Sequence, residues 1–199
     1  MDRNRLKFKK LLNEYRSLFY ELEYVTQVVR ETNIEFDKFK KDFCDREQVS
    51  VPTLNEKNSD RIKEIFSASS SIIKEAAAKK KELKYDPKKI FRQIARKFHP
   101  DTLDSDDPRY DEFESVFKKA SAAIDDNSWG DLFDIAERYN LELDDFVTIN
   151  NLLEEEIILI NKKIDDQKNT YSWLFYCCET DDEKTKLIRR ILDHMYISW

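Results

Sequence analysis

The chain has 199 residues, 38% of them charged, with a single glycine and four prolines. So few turn-formers exclude an all-β fold, and one glycine excludes a glycine-rich phosphate loop. The net charge of −6 gives no general case for nucleic-acid binding. No stretch approaches the ~20 apolar residues of a membrane span, and the residues after Met1 (Asp2 to Arg5) are polar rather than leader-like. With hydrophobics at 40% and aromatics at 13%, a packed all-α protein is expected, soluble and cytoplasmic.

In chain order, the first element is a long helix within residues 1–49. Phe8, Leu11, Tyr15, Leu18, Leu22, Val25, Val29, Thr32, Phe36, Phe39 and Phe43 recur at spacings of three and four, a coiled-coil seam. Leu12, Phe19, Val28 and Ile34 lie beside it and widen the stripe. The bulky aromatics favour an antiparallel hairpin with another helix of the chain, and a homodimer through this seam is a further expectation. Ser50 to Asn55, with Pro52, reads as a break. A second helix is expected from about Asn58 to Leu83, with Ile62, Ile65, Phe66, Ile72, Ile73 and Ala76 on its apolar side.

Asp86-Pro87 reads as an N-cap followed by proline at the first helical position. The helix after it ends at His99-Pro100, and a polar loop from Thr102 to Asp107 leads to a helix from about Pro108 to Ile124. Asn127 to Gly130 punctuate the chain before a short helix through Leu132, Phe133, Ile135 and Ala136. A long helix from about Leu143 to Lys168 carries Phe146, Ile149, Leu153, Ile157, Ile160 and Ile164 on one face, and is the expected partner of the first helix. Thr180 with Glu183 makes a capping box for a last helix through Leu187, Ile188, Ile191, Leu192 and Met195.

The segment from Phe91 to Asp101 carries the functional signal. On a helix, Ile90, Phe91, Ile94, Ala95 and Phe98 share one face, while Lys88, Lys89, Arg92, Arg96 and Lys97 crowd the opposite one. Pro100 stops the helix, so His99 and Asp101 fall in the exposed loop at its end. From Lys84 to Asp101 six basic residues face two acidic ones, whereas Thr102 to Phe146 holds four basic and fourteen acidic residues. A compact basic patch thus sits beside an acidic segment and would steer toward a negatively charged partner.

This segment resembles the second helix and loop of J domains: an aromatic, a basic residue, Leu-Ala, Lys, an aromatic, then His-Pro-Asp. Here those positions hold Phe91, Arg92, Ile94-Ala95, Lys97, Phe98 and His99-Pro100-Asp101. Phe117, Ala120 and Ile124 match the third J-domain helix, with Ser121 where Tyr is usual. The resemblance implies an antiparallel helical hairpin with the tripeptide at one tip, in a J-like domain over 58–126 flanked by coiled-coil helices, with a C-terminal helical region over 128–199. It further implies a co-chaperone, not an enzyme, that docks on an Hsp70-type partner and accelerates its ATP hydrolysis. The docking residues would be His99, Pro100, Asp101, Phe91, Arg92, Arg96, Lys97, Lys88 and Lys89. Two departures stand out: no Tyr-x-x-Leu-Gly signature precedes Lys84, and Thr102 replaces the basic residue that often follows the tripeptide.

Other chemistry is poorly supported. Cys177, Cys178 and His194 lack metal-ligand spacing, and buried helix-face cysteines account for the pair better. Neither histidine has an obvious thiol partner for nucleophilic catalysis. Acid pairs such as Asp106-Asp107 read as solvated faces. No metal, cofactor, nucleic acid or membrane partner is expected. Tyr171, Trp173, Phe175, Tyr176, Tyr196 and Trp199 read either as a terminal core or as a docking surface for a client or scaffold. The alternative function is a structural or assembly protein that keeps a J-like hairpin; the glycine-poor, Lys/Asn/Ile/Asp-rich composition would suit an AT-rich genome such as a virus's.

Overall fold

The computed structural model describes residues 2–57, 59, 87–102, 104 and 106–196. The helix expected over 58–83, the Asp86 cap and Trp199 lie outside the described residues. The described elements are α1 (Arg3–Arg46), α2 (Val51–Lys57), α3 (Lys88–Phe98), a 3-10 turn (Pro100–Thr102), α4 (Tyr110–Asp126), α5 (Trp129–Arg138), α6 (Phe146–Lys168), α7 (Tyr171–Tyr176) and α8 (Asp181–Met195). No strand occurs among the described residues, as the composition requires. The chain forms two compact units, one of residues 1–22 and 83–163, the other of residues 23–82 and 164–199.

In the first unit, α3, α4 and α5 pack together under the start of α1 and most of α6. Ile90, Ile94 and Phe98 from α3 are buried with Ala120 of α4 and with Leu132 and Phe133 of α5. The small Ala120 and Ala123 on α4 let its neighbours approach, while Phe98 fills the gap with its ring 4.9 Å from Phe113 and 4.6 Å from Tyr139. Phe8 near the start of α1 meets Phe146 at the start of α6 at 5.4 Å, and the Asn150 amide donates to the Asn4 carbonyl at 3.1 Å. Both long helices therefore begin in the first unit and end in the second. The α3–α5 insert and the connection after it return the chain to the beginning of α1, not to its end.

A half-buried polar node holds α1, α5 and α6. Tyr15 of α1 donates its hydroxyl to Asp131 Oδ1 at 2.8 Å. Ser128 Oγ lies 2.8 Å from Asp131 Oδ2 and 3.0 Å from Glu156 Oε1, and the Gly130 backbone N–H donates to Glu156 Oε2 at 2.7 Å. One serine hydroxyl has one proton and cannot serve two carboxylates at once. When Glu156 carries a proton it can donate to Ser128 while Ser128 donates to Asp131, so both carboxylate contacts of the hydroxyl are met. Burial above all, with the Asp131 charge adding to it, pushes the Glu156 carboxyl up to about 7, against hydrogen bonds from Gly130 and Ser128 and the charge of Lys163, which pull it down. Burial likewise pushes the Tyr15 phenol up, and the charges of Glu156 and Asp131 push the same way. Gly130 is not punctuation but part of the first turn of α5; a Cβ there would lie 2.3 Å from the Tyr15 ring. The close approach, not a turn, requires glycine.

In the second unit, Phe175 of α7 is wedged against Phe36 and Phe39 of α1 at 5.6 and 5.4 Å, beside Ile188 and Leu192 of α8. Ser172 donates to Asn33 Oδ1 at 2.9 Å, and Tyr196 donates to Asn55 Oδ1 at 2.7 Å. The Thr180–Glu183 capping box opens α8 as read from the sequence. Three expectations are corrected. Residues 51–57 form α2 rather than a break, because Pro52 lies in the first turn, where a missing N–H leaves no bond unmade. Ile34 is 75% exposed and does not widen the seam; the burial of Val28 and Thr32 turns the stripe away from it. Cys177 caps the end of α7 and is exposed, Cys178 is only partly buried, and Cys44 is the buried cysteine. The aromatic cluster divides: Phe175 and Tyr196 are core, Tyr171 and Tyr176 are exposed.

Candidate functional site

Helix α3 is anchored by one stripe and open on the other. Ile90, Ile94 and Phe98 are almost wholly buried, while Lys88, Lys89, Arg92, Arg96 and Lys97 are exposed. Burying three such side chains contributes roughly 1.5–3 kcal/mol each, enough to hold a short helix against its intrinsic tendency to fray. Pro87 occupies the N-cap position, its carbonyl accepting from Ile90 and Phe91 N–H. Phe91 is not on the fully buried stripe; it is half-buried at its edge, 6.1 Å from the Phe117 ring of α4.

At the other end His99 adopts φ −62° and ψ 131°, the extended conformation that a following proline imposes, and α3 stops. Pro100–Thr102 then turn once, with the Thr102 N–H and hydroxyl both donating to the His99 carbonyl at 2.9 and 2.7 Å. The His99 ring packs edge-on against Phe117 at 4.8 Å, and its Nδ1 accepts from the Asp101 N–H at 3.3 Å. These contacts fix the ring yet leave 43% of the His99 side chain and 88% of the Asp101 side chain in solvent. The outer edge of the loop is therefore open to solvent rather than spent on the fold. Asp107 closes the approach to α4. The Arg109 side chain hydrogen-bonds it and holds its carboxyl at about 2.

The segment between α5 and α6 straps the side of α3. Gln93 donates to the Glu142 carbonyl at 3.0 Å and accepts from the Glu142 N–H at 3.1 Å, a two-bond clasp on the backbone of one residue. Lys97 donates to the Tyr139 carbonyl at 3.2 Å, and Lys89 lies 3.6 Å from Asp144. A cleft of about 310 Å³ opens between strap and helix, lined by Lys89, Arg92, Gln93, Arg96, Glu142 and Asp144.

The structure thus brings His99, Pro100 and Asp101 to one end of a helix whose five cations lie on its exposed side, and places Phe91 as packing under them. Two contributors escape a reading of the sequence. Phe117 holds the His99 ring, which only the i, i+3, i+4 match of α4 to the hairpin would have hinted. Gln93 clasps a strap nearly fifty residues away and has no local signature. Among the described residues no group of three or more His, Cys, Asp or Glu is placed to hold a metal ion, and no helix is long and apolar enough to cross a membrane. No family model, curated protein or solved structure matches the chain.

Proposed function

We propose that the chain is a J-domain co-chaperone: α3 and α4 serve as the J hairpin, and the loop His99-Pro100-Asp101 with the cationic side of α3 docks on an Hsp70-type partner and stimulates its ATP hydrolysis. The observation that carries this reading is the pairing of a fixed but solvent-open His99-Pro100-Asp101 turn with a helix whose exposed side is cationic throughout. The apolar stripe fixes the helix's rotation, so Arg92 and Arg96 lie on its exposed side. Lys88, Lys89 and Lys97 extend that side, and Phe91 braces it through Phe117. The protein itself performs no chemistry on a substrate in this role; hydrolysis belongs to the partner. The exposed aromatics Tyr171 and Tyr176 and the long helices would hold the client or scaffold to which the partner is recruited.

One observation favours the alternative, a structural or assembly protein. Where a basic residue would extend toward a partner, the Thr102 hydroxyl turns back onto the His99 carbonyl. Binding of purified ATP-loaded Hsp70 from the same cell separates the two. The co-chaperone reading expects binding that Asp101→Asn and His99→Gln each weaken at least tenfold. Equal binding by both variants and the parent, or none by any, would leave the structural reading.

A further inference from the structure

The strap that crosses beside α3 has a second basic wall on its other side. A cleft of about 290 Å³ lies there, lined among others by Arg5 and Lys9 of α1 and by Asn140 and Glu142 of the strap. Glu142 is thus the shared rim of this cleft and of the one beneath Arg92 and Arg96. Arg5 and Lys9 are one helical turn apart, as are Arg92 and Arg96, so each helix turns a pair of cations toward the same acidic rim.

The charges around the strap do not cancel. Asp144 is engaged by Lys89, and Glu137 by Arg16 at 3.3 Å. Arg5, Lys9 and Arg96 have no salt-bridge partner among the described residues, and Arg5, Lys9, Arg92 and Arg96 are all exposed. Like charges one turn apart destabilise a helix slightly, and for Arg5 and Lys9, which make no salt bridge among the described residues, that cost is not recovered locally. An acidic surface laid across them would recover it. Phe8, between Arg5 and Lys9 in sequence, is buried, so the rotation of α1 is as firmly set as that of α3.

We infer that the docking surface for the acidic Hsp70-type partner does not end at α3 but continues across the strap to Arg5 and Lys9 of α1, giving two cationic rows with Glu142 between them. This rests on the co-chaperone reading, and deepens it by adding a second row from an element outside the J-like hairpin. The Gln93 clasp is the positioning device, because it fixes the height of the strap between the rows. A partner that meets both rows places acid on each side of the strap, and one that meets α3 alone leaves Arg5 and Lys9 in solvent. The overall net charge of −6 makes nucleic acid the poorer occupant.

The test is binding of purified ATP-loaded Hsp70 from the same cell to the full chain at low and at physiological salt. Four forms are compared: the parent, Arg92→Glu/Arg96→Glu, Arg5→Glu/Lys9→Glu, and Arg30→Glu/Lys41→Glu, whose exposed cations belong to the other unit. The inference expects Arg5→Glu/Lys9→Glu to weaken binding roughly five- to tenfold at low salt and to flatten the salt dependence, with the Arg30/Lys41 form within about twofold of the parent. If the Arg92/Arg96 form is weakened while the Arg5/Lys9 form matches the Arg30/Lys41 control, the surface stops at α3 and the inference falls while the co-chaperone reading stands. If neither first-unit form differs from the control, both fall. Tighter binding of a single-stranded oligonucleotide than of Hsp70, lost in the Arg5/Lys9 form, would also overturn it. Should the double reversal melt the protein, Arg5→Ala/Lys9→Ala is expected to shift binding the same way by about two- to threefold; no shift in that milder form would count against the inference.

Discussion

Ser128 and His99 both sit at helix junctions of the first unit, and the contrast between them separates what holds the fold from what the fold displays. The Ser128 hydroxyl is enclosed by Asp131, Glu156 and the Tyr15 phenol, and every contact it makes is to its own chain. His99 keeps 43% of its side chain in water, Asp101 is exposed and Pro100 is half-buried. A half-buried hydrogen-bonded cluster is still costly to leave half-satisfied, whereas exposed charges add little to stability and are screened by salt. The difference teaches where to look: mutations around Ser128 should move the melting temperature, and mutations around His99 should move binding.

The largest effect is expected at Gly130. Gly130→Ala places a methyl group within the Tyr15 ring, at 2.3 Å from its nearest atom, and should destabilise the protein by about 3 kcal/mol in denaturant unfolding. A loss below about 0.5 kcal/mol would mean that Tyr15 and α5 are not packed as described.

Next comes the proton on Glu156. Its folded value, raised to about 7 from 4.5, means that the folded state binds the proton more tightly than the unfolded chain. The corresponding stability is fully present below the unfolded value and is lost as pH rises through the folded one. Stability should therefore fall between about pH 4.5 and 7.5, by up to roughly 3 kcal/mol from this group. Glu156→Gln, whose amide can donate to Ser128 at any pH, should flatten that slope; an unchanged slope would assign the pH dependence elsewhere. Smaller again, Ser128→Ala should cost about 1–2 kcal/mol, because Asp131 and Glu156 are then left facing each other without the shared hydroxyl. At the bottom of the scale, His99→Gln and Arg92→Glu/Arg96→Glu should each change stability by less than about 0.5 kcal/mol. A larger loss in either would make that residue part of the fold and erase the comparison.

Much of the helical pattern is written in local residue spacing. The apolar stripe of α3, the burial of Ala120 and the Thr180–Glu183 capping box follow from residues three or four apart, and each is where the spacing puts it. The exposed cations of α3 follow from the same count. Contacts between distant segments have no such signature. The node joining Tyr15, Ser128, Asp131 and Glu156 spans more than a hundred residues, and the one glycine, its clearest mark, reads equally well as a turn. Direction was illegible for a related reason. A heptad stripe on α1 states that a partner helix lies along it but is symmetric to which way that partner runs. Proline misled at Pro52 because it stops a helix in the interior and starts one in the first turn.

The measurement that bears most directly on the co-chaperone reading is single-turnover ATP hydrolysis by Hsp70 from the same cell, with the parent chain and with His99→Gln at matched melting temperature. The reading predicts severalfold stimulation by the parent and none by the variant. Stimulation equal in both, or absent from a folded parent, would contradict it and leave α3, α4 and their loop as a structural hairpin.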